Sequence, residues 1–257
     1  MNQFIDTHIH LYDSEFEEDL PDVIKRAEAL GISRYILPAI DSSCHKQMVK
    51  LSKRYPQYAF PAIGLHPTSV MSNWEEELSF VFENIGSEKF YAVGEIGMDG
   101  YWSKEFIKEQ STVFEKQLEL AVSHNLPVII HSRDATEEIF KVLEKTKHLN
   151  ISGVFHAFSG SYESYIKLSK MGNFKIGIGG VITFKNASLA KVAEKIDLND
   201  IVLETDAPWL APVPFRGKRN EPSYISVIAQ KLAEIKGCSI DEIAERTTVN
   251  AIKLFKL

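Results

Sequence analysis

Cysteine is scarce. Cys44 and Cys238 are the only two in 257 residues, too few for a disulfide framework and without the paired spacing of a thiolate zinc site. Long apolar runs are also missing: nothing approaches the roughly 18 uninterrupted apolar residues of a membrane span. Met1–Asp6 holds no basic segment followed by an apolar run, so no signal peptide is expected. Positive charge is in deficit, with 29 Lys and Arg against 35 Asp and Glu, a net charge of −6. That balance argues against a histone-like coat for nucleic acid. It does not exclude a nucleic-acid enzyme, because bound metal ions and a local basic patch hold phosphate. No low-complexity linker splits the chain, and no glycine-rich dinucleotide fingerprint follows its first apolar run. These absences lead to the expectation of a soluble, cytoplasmic, monomeric protein without a membrane partner, residues 1–257 forming one domain.

Hydrophobic residues at 44% and charged residues at 25% are ordinary globular values, so the chain is neither disordered nor fibrous. Short apolar, β-branched runs predict strands near Phe4–His10, Arg34–Ile40, Ala59–His66, Phe90–Met98, Val128–His131, Gly153–Phe158, Phe174–Gly180 and Ile201–Thr205. Segments with helical spacing lie between them. Pro21–Leu30 places Val23, Ala27 and Leu30 on one face, and Gln110–His124 does the same with Phe114, Leu118, Ala121 and Val122. Tyr165, Leu168 and Met171 mark another helix, and Ser223–Lys236 and Ile240–Phe255 are expected to close the fold. The strand runs are nearly all apolar, as in parallel strands covered on both faces. Eight such units in a chain of this length predict an α/β fold, a single (β/α)8 TIM barrel. An open doubly wound sheet is the alternative.

The histidines carry the most information. Five of the eight, His8, His10, His66, His131 and His156, end predicted strands, whereas His45, His124 and His148 do not. In a barrel all strand C-termini open on one face, where active sites are built. Residues scattered in sequence therefore converge in space. His8 and His10 are two apart on one strand, so both point the same way. A single histidine closing an apolar run is an ordinary hydrogen-bonded core residue. Four crowded together would repel and desolvate one another unless a cation sat between them. Glu95 and Asp206 also follow apolar runs, where a carboxylate needs a cation; an ion pair with Arg or Lys is the plainer alternative. Four histidines with these two carboxylates leave room for two metals, Glu95 bridging. The nitrogen and oxygen donors suit Zn, Mn, Fe, Co or Ni, and Ca less well.

Seven segments in order resemble the TatD family of metal-dependent hydrolases, within the amidohydrolase superfamily. They are Ile5-Asp6-Thr7-His8-Ile9-His10, Gly64-Leu65-His66-Pro67, Gly94-Glu95-Ile96-Gly97-Met98-Asp99, Pro127-Val128-Ile129-Ile130-His131-Ser132-Arg133-Asp134-Ala135, His156-Ala157-Phe158-Ser159-Gly160, Leu203-Glu204-Thr205-Asp206-Ala207-Pro208 and Arg219-Asn220-Glu221-Pro222. The resemblance implies a TIM barrel with one or two divalent ions (Zn, Mn, Mg, Ni or Fe), held by His8, His10, Glu95, His131, His156 and Asp206. It also implies deoxyribonuclease action, 3′–5′ exonucleolytic on single-stranded DNA and sometimes RNA. Tyr12 stands where the family often has aspartate, and Ala157 where it often has cysteine.

Asp206 and Glu95 are the expected catalytic residues, Asp206 accepting the proton of the attacking water. Arg133, two residues after His131, would offer a planar fork to phosphate, or else pair with Asp134 or Glu95. His66 is expected to contact substrate or support the ligands. Phe215-Arg216-Gly217-Lys218-Arg219 is the densest basic cluster; following the last strand, it is expected to overhang the metal mouth and grip DNA through Arg216 and Arg219, or to be a solvated loop. Trp102 and Trp209 flank strand ends and either stack on bases or pack on the rim. Two further readings compete: an amide, ester or lactone hydrolase of a small molecule using the same metal cage, and a metal-dependent binding protein without catalysis.

Overall fold

The structure is a computed structural model that describes residues 3–257. Its strands are β1 (Phe4–Asp6), β2 (Ile32–Leu37), β3 (Ala59–Pro61), β4 (Val93–Asp99), β5 (Val128–Arg133), β6 (Ser152–Phe155), β7 (Asn173–Ile178) and β8 (Ile201–Leu203). Seven helices connect them: α1 (Leu20–Ala29), α2 (Ser42–Arg54), α3 (Trp74–Asn84), α4 (Ile107–Ser123), α5 (Thr136–Lys145), α6 (Tyr162–Leu168) and α7 (Leu189–Lys195). Helices α8 (Ile225–Lys236) and α9 (Ile240–Phe255) follow.

The strands pair in parallel and in chain order, β1 to β3 and β4 to β8. The two groups join where Ile63 bridges Val93, with Gly94 N donating to Ile63 O at 2.9 Å. The ring closes where Thr7 N donates to Leu203 O at 3.0 Å. There the buried Asp6 carboxyl also accepts from Thr205 N (3.0 Å) and Thr205 Oγ1 (2.5 Å). This is the closed (β/α)8 barrel, and closure removes the open-sheet alternative.

Side-chain alternation along each strand divides the core in two. Ile5, Ile36, Phe60, Ile129, Val154 and Val202 point inward and fill the barrel, and α9 plugs its lower end with Ala251, Leu254 and Phe255. The outward residues pack beneath the helices. Of the last two helices, expected to close the barrel and pack against it, the closure is corrected and the packing holds: the strands close the barrel, and α9 caps its floor. Asn250 fixes that cap, its Nδ2 donating to Leu198 O (2.9 Å) and Ile201 O (2.8 Å). The α9 bounds match the periodicity because Ser239 Oγ caps the helix, accepting from Glu242 N at 3.1 Å. Truncating Phe255, fully inside this floor, would cost about 3–5 kcal/mol.

Most strands stop before the apolar runs do. Phe4–His10 is strand only to Asp6, Ala59–His66 only to Pro61, and Ile201–Thr205 only to Leu203. Ala157 (φ 43°) and Asp206 (φ 57°) are left-handed, which ends extended pairing. Past the strands the backbone still bonds across the rim, His10 N to Ala207 O and Asp206 N to His8 O, both at 2.9 Å. These short irregular segments are apolar because they are buried, and that made them read as strand.

Candidate metal centre

The six predicted ligands meet at the C-terminal mouth of the barrel, around Glu95. Its Oε1 lies 2.6 Å from His156 Nε2, 3.0 Å from His131 Nδ1 and 3.2 Å from His66 Nε2. Its Oε2 lies 3.2 Å from His8 Nε2. His8 and His10 face each other Nε2 to Nε2 at 3.2 Å, and Asp206 Oδ1 is 3.5 Å and 3.6 Å from those two nitrogens. His8 and His156 stack with ring centroids 3.9 Å apart. All are buried or nearly so.

Buried partners outside the ring orient the imidazoles. His131 Nε2 contacts Asp99 Oδ2 at 2.8 Å. Burial would raise the Asp99 carboxyl, but His131 and the backbone N–H groups of Trp102 and Tyr101 hold it below its ordinary value. Asp99 is therefore an acceptor and His131 donates from Nε2, leaving Nδ1 to face Glu95. His10 Nδ1 contacts Tyr12 Oη at 2.7 Å on the side away from the ring. Helix α4 supports the same rim with two buried glutamines about two turns apart on one face. Gln110 Oε1 accepts from Asp99 N (2.9 Å), and Gln117 Oε1 accepts from Leu65 N (2.8 Å), next to His66.

The inner face thus crowds imidazole nitrogens onto carboxylate oxygens, and a cation there would satisfy them together. Burial would raise Glu95, yet the charges of His156, His66 and His8 hold it well below the carboxylate range. Burial would lower His156, but Glu95, with Glu204 and Asp206, carries it up to about 10. Its stacked neighbour His8 is pushed down to about 4 by burial and by the His156 charge. The ring concentrates affinity for positive charge at one place. Two triads of donor atoms, His8/His10/Glu95 and His66/Glu95/His131, each gather within 4.8 Å and share Glu95. His8 Nδ1, His156 Nδ1 and Glu204 Oε2 are buried without a hydrogen-bond partner. The residues fit one or two divalent cations.

The ring opens into a cavity of about 490 Å³ lined by His66, Arg133, Trp102, Trp209 and every predicted ligand except the fully buried His8. A slightly larger cavity of about 540 Å³ lies at the other end of the barrel, among Asn125, Leu149, Asn173 and Lys253, and contains none of the predicted ligands. Chemistry rather than volume selects the site. Arg133 shares the β5 edge with His131, but its guanidinium lies over the Tyr101 ring at 3.7 Å rather than against Asp134 or Glu95. His66 stands closer to the ligands than a purely substrate-facing residue would, its ring edge-on to His131 at 4.6 Å.

The structure does not bring the basic loop to this cavity. Arg219 is bound by Asp19, NH2 to Oδ2 at 2.7 Å, by the Glu15 carbonyl and by the Phe16 ring. Arg216 lies over Phe184 at 4.4 Å. The Asp19 carboxylate takes up the charge of Arg219, and neither Arg216 nor Arg219 lines the cavity, so the expected grip through these two residues is corrected. Sequence reading missed three residues that the site uses. Asp99 carried a signal, lying four residues from Glu95 on one strand and so on the same face. Glu204 accepts from Ala157 N (2.5 Å) and carried none beyond its place beside Asp206. Tyr12 shows in the sequence only as a departure from the family pattern.

A parallel barrel with imidazoles and carboxylates ringed at its C-terminal mouth is built as a metal-dependent hydrolase. Comparison with known proteins gives the family. The TatD-related DNase family model matches residues 5–256. The uncharacterized metal-dependent hydrolase YabD of Bacillus subtilis is 40% identical over 253 residues, spanning 98% of both chains. The 3′-5′ ssDNA/RNA exonuclease TatD of Erwinia tasmaniensis is 31% identical over 259 residues, spanning 98% of this chain and 99% of its own. The crystal structure of YjjV, a TatD homologue from Escherichia coli, has a TM-score of 0.90 at 31% identity, covering 99% of this chain and 98% of that one. The chain belongs to the TatD-related DNase family.

Proposed function

We propose that the protein is a divalent-metal-dependent phosphodiesterase that shortens DNA from its 3′ end, acting as a cytoplasmic monomer. The observation that carries this reading is the ring of imidazole nitrogens and carboxylate oxygens around Glu95, opening on a cavity walled by Arg133. The cavity volume lies in the range of small-ligand sites, about 300–1,000 Å³. Among the described residues no helix is long and apolar enough to cross a membrane. The 3′–5′ direction follows the name of the Erwinia relative.

His8, His10, Glu95, His131, His156 and Asp206 are the proposed ligands, with His66 beside them. Bound there, one or two divalent ions supply Lewis-acid stabilisation of the phosphoryl oxygens and lower the pKa of a water. Arg133 holds the non-bridging oxygens with its planar fork. Asp206 lines the cavity and accepts the proton of the attacking water there. The water oxygen bonds to phosphorus, the bond to the 3′-oxygen of the penultimate nucleotide breaks, and Asp206 returns the proton to that oxygen.

The test is a substrate panel. Protein loaded in turn with Zn, Mn or Mg is given 5′-labelled single-stranded DNA, bis-p-nitrophenyl phosphate, and a set of esters, amides and lactones. A ladder shortening from the 3′ end is expected. Turnover of esters, amides or lactones with no phosphodiester cleaved would overturn the reading in favour of a small-molecule hydrolase.

A further inference from the structure

Two indoles stand on opposite sides of the ligand ring. Trp102 follows β4 and Trp209 follows β8, and strands four apart in an eight-stranded ring are diametrically opposed. Both residues line the one cavity. Trp209 meets the ligand His10, ring centroids 4.9 Å apart, while Trp102 lies 5.5 Å from the guanidinium of Arg133. Neither indole is sunk into the rim: Trp102 is 71% exposed and Trp209 is 46% exposed. Simple packing onto the barrel would have buried them.

Their backbones are nonetheless fixed, and fixed to the site itself. Trp102 N and Tyr101 N both donate to Asp99 Oδ1, at 3.2 Å and 2.9 Å, and the other oxygen of Asp99 orients His131. Trp209 N donates to Asp206 O at 2.9 Å, and its own carbonyl accepts from Asn220 Nδ2 at 2.6 Å. Exposed aromatic faces on anchored backbone are stacking platforms that lose little freedom on binding. What sits between them is anion-directed: the ligand ring and Arg133. An occupant that carries an aromatic group on each side of a phosphodiester matches both halves.

We propose, on the phosphodiesterase reading above, that Trp102 and Trp209 stack one nucleobase each, on either side of the scissile phosphate. The enzyme thereby takes an unpaired dinucleotide step whose two bases are splayed apart. Duplex ends must fray before they fit. Arg133 stays on the phosphate, held in place by the Tyr101 ring.

The experiment is a set of coupled substitutions in manganese-loaded protein. Wild type, Trp102→Ala and Trp209→Ala are assayed for kcat/KM on a single-stranded oligonucleotide. The same oligonucleotide is used with an abasic site at the terminal or the penultimate nucleotide, and as a blunt duplex. Each substitution should lower kcat/KM on the intact strand by about 5- to 100-fold, the scale of a lost base–aromatic stack. Each loss should shrink at least fivefold when one of the two bases is missing, a different base for each tryptophan. The blunt duplex should be cut more slowly than the single strand. Trp102→Phe and Trp209→Phe should restore most of the rate, which separates stacking from misfolding. If the losses are the same whether or not either base is present, or if neither substitution matters, the stacking assignment falls while the phosphodiesterase reading stands. If wild type cleaves no phosphodiester at all, both fall.

Discussion

Tyr12 decides which nitrogen of His10 carries the proton. Its hydroxyl has one hydrogen, and that hydrogen goes to the Pro38 carbonyl at 2.6 Å, a group that only accepts. His10 Nδ1, 2.7 Å from the same oxygen, must then be the donor. The Nε2 lone pair is left free, aimed at His8, Asp206 and the proposed metal. Tyr12 thus does for His10 what an acceptor carboxylate does for other metal-binding histidines.

Tyr12→Phe removes that acceptor and leaves His10 free to choose its tautomer. Loss of a supporting partner of this kind costs about 10- to 100-fold in metal affinity. Titration of the metal-depleted protein with zinc, in competition with a chelator, should show a drop in that range while the far-UV spectrum is unchanged. An affinity within a factor of two of wild type would mean that packing alone holds His10 in place.

Asp99→Asn makes a sharper change. The backbone N–H groups of Tyr101 and Trp102 claim the amide oxygen, which turns the amide nitrogen toward His131 Nε2. A donor now faces that nitrogen, so the imidazole proton moves to Nδ1 and points into the ring. Inverting a tautomer in this way costs far more than losing a hydrogen bond, and kcat should fall by at least about 10²-fold. The same variant should bind zinc more weakly, whereas retention of both activity and affinity would mean that His131 does not depend on Asp99.

The barrel was legible in the sequence because eight apolar runs alternate with helical periods, and the ring because its histidines and carboxylates close those runs. Less legible was everything set by contacts between distant segments. Asp99 and Glu95 share a face, but nothing local says that His131 turns its Nε2 outward. The basic loop looked like a phosphate grip because Asp19 and Glu15, some two hundred residues earlier, are invisible as its partners. Strand ends were overextended because buried irregular rim segments are as apolar as strands. Gly97 illustrates the same limit: with φ +132°, a Cβ there would lie 2.1 Å from His131 O, a closeness only the folded chain reveals.

Glu95→Gln and Asp206→Asn each keep the shape of the side chain and remove its charge. Either should lower phosphodiesterase kcat by at least about 10²-fold, the usual scale for a lost electrostatic stabiliser. Neither should unfold the protein, since crowded donors around Glu95 contribute to metal binding rather than to packing. Thermal melts of the metal-depleted proteins check the second half. Full activity of Asp206→Asn with excess metal would remove Asp206 from proton transfer.

Arg219 is tied to stability rather than to substrate. It bonds Asp19 with both terminal nitrogens, at 2.8 Å and 2.7 Å, while Arg26 bonds Glu221 at 2.6 Å and reaches Asp19 at 3.4 Å. The hydrogen bond from Arg219 holds the Asp19 carboxyl below its ordinary value; burial would raise Glu221, but Arg26 and Ser223 hold it below too. A carboxylate with a depressed folded pKa stabilises the fold above its unfolded pKa, about 3.9 for Asp and 4.3 for Glu, and the gain is lost as pH falls through the folded value. Arg219→Ala should therefore lower Tm at pH 7 by roughly 2–4 °C, the effect of about 1 kcal/mol in a domain of this size. The difference from wild type should narrow as pH drops below about 4, where Asp19 and Glu221 take up protons in both proteins. High salt should narrow it as well, because the pair is partly exposed. KM for a single-stranded oligonucleotide should change less than twofold. A tenfold rise in KM with no change in Tm would instead put the basic loop back on the path of the DNA.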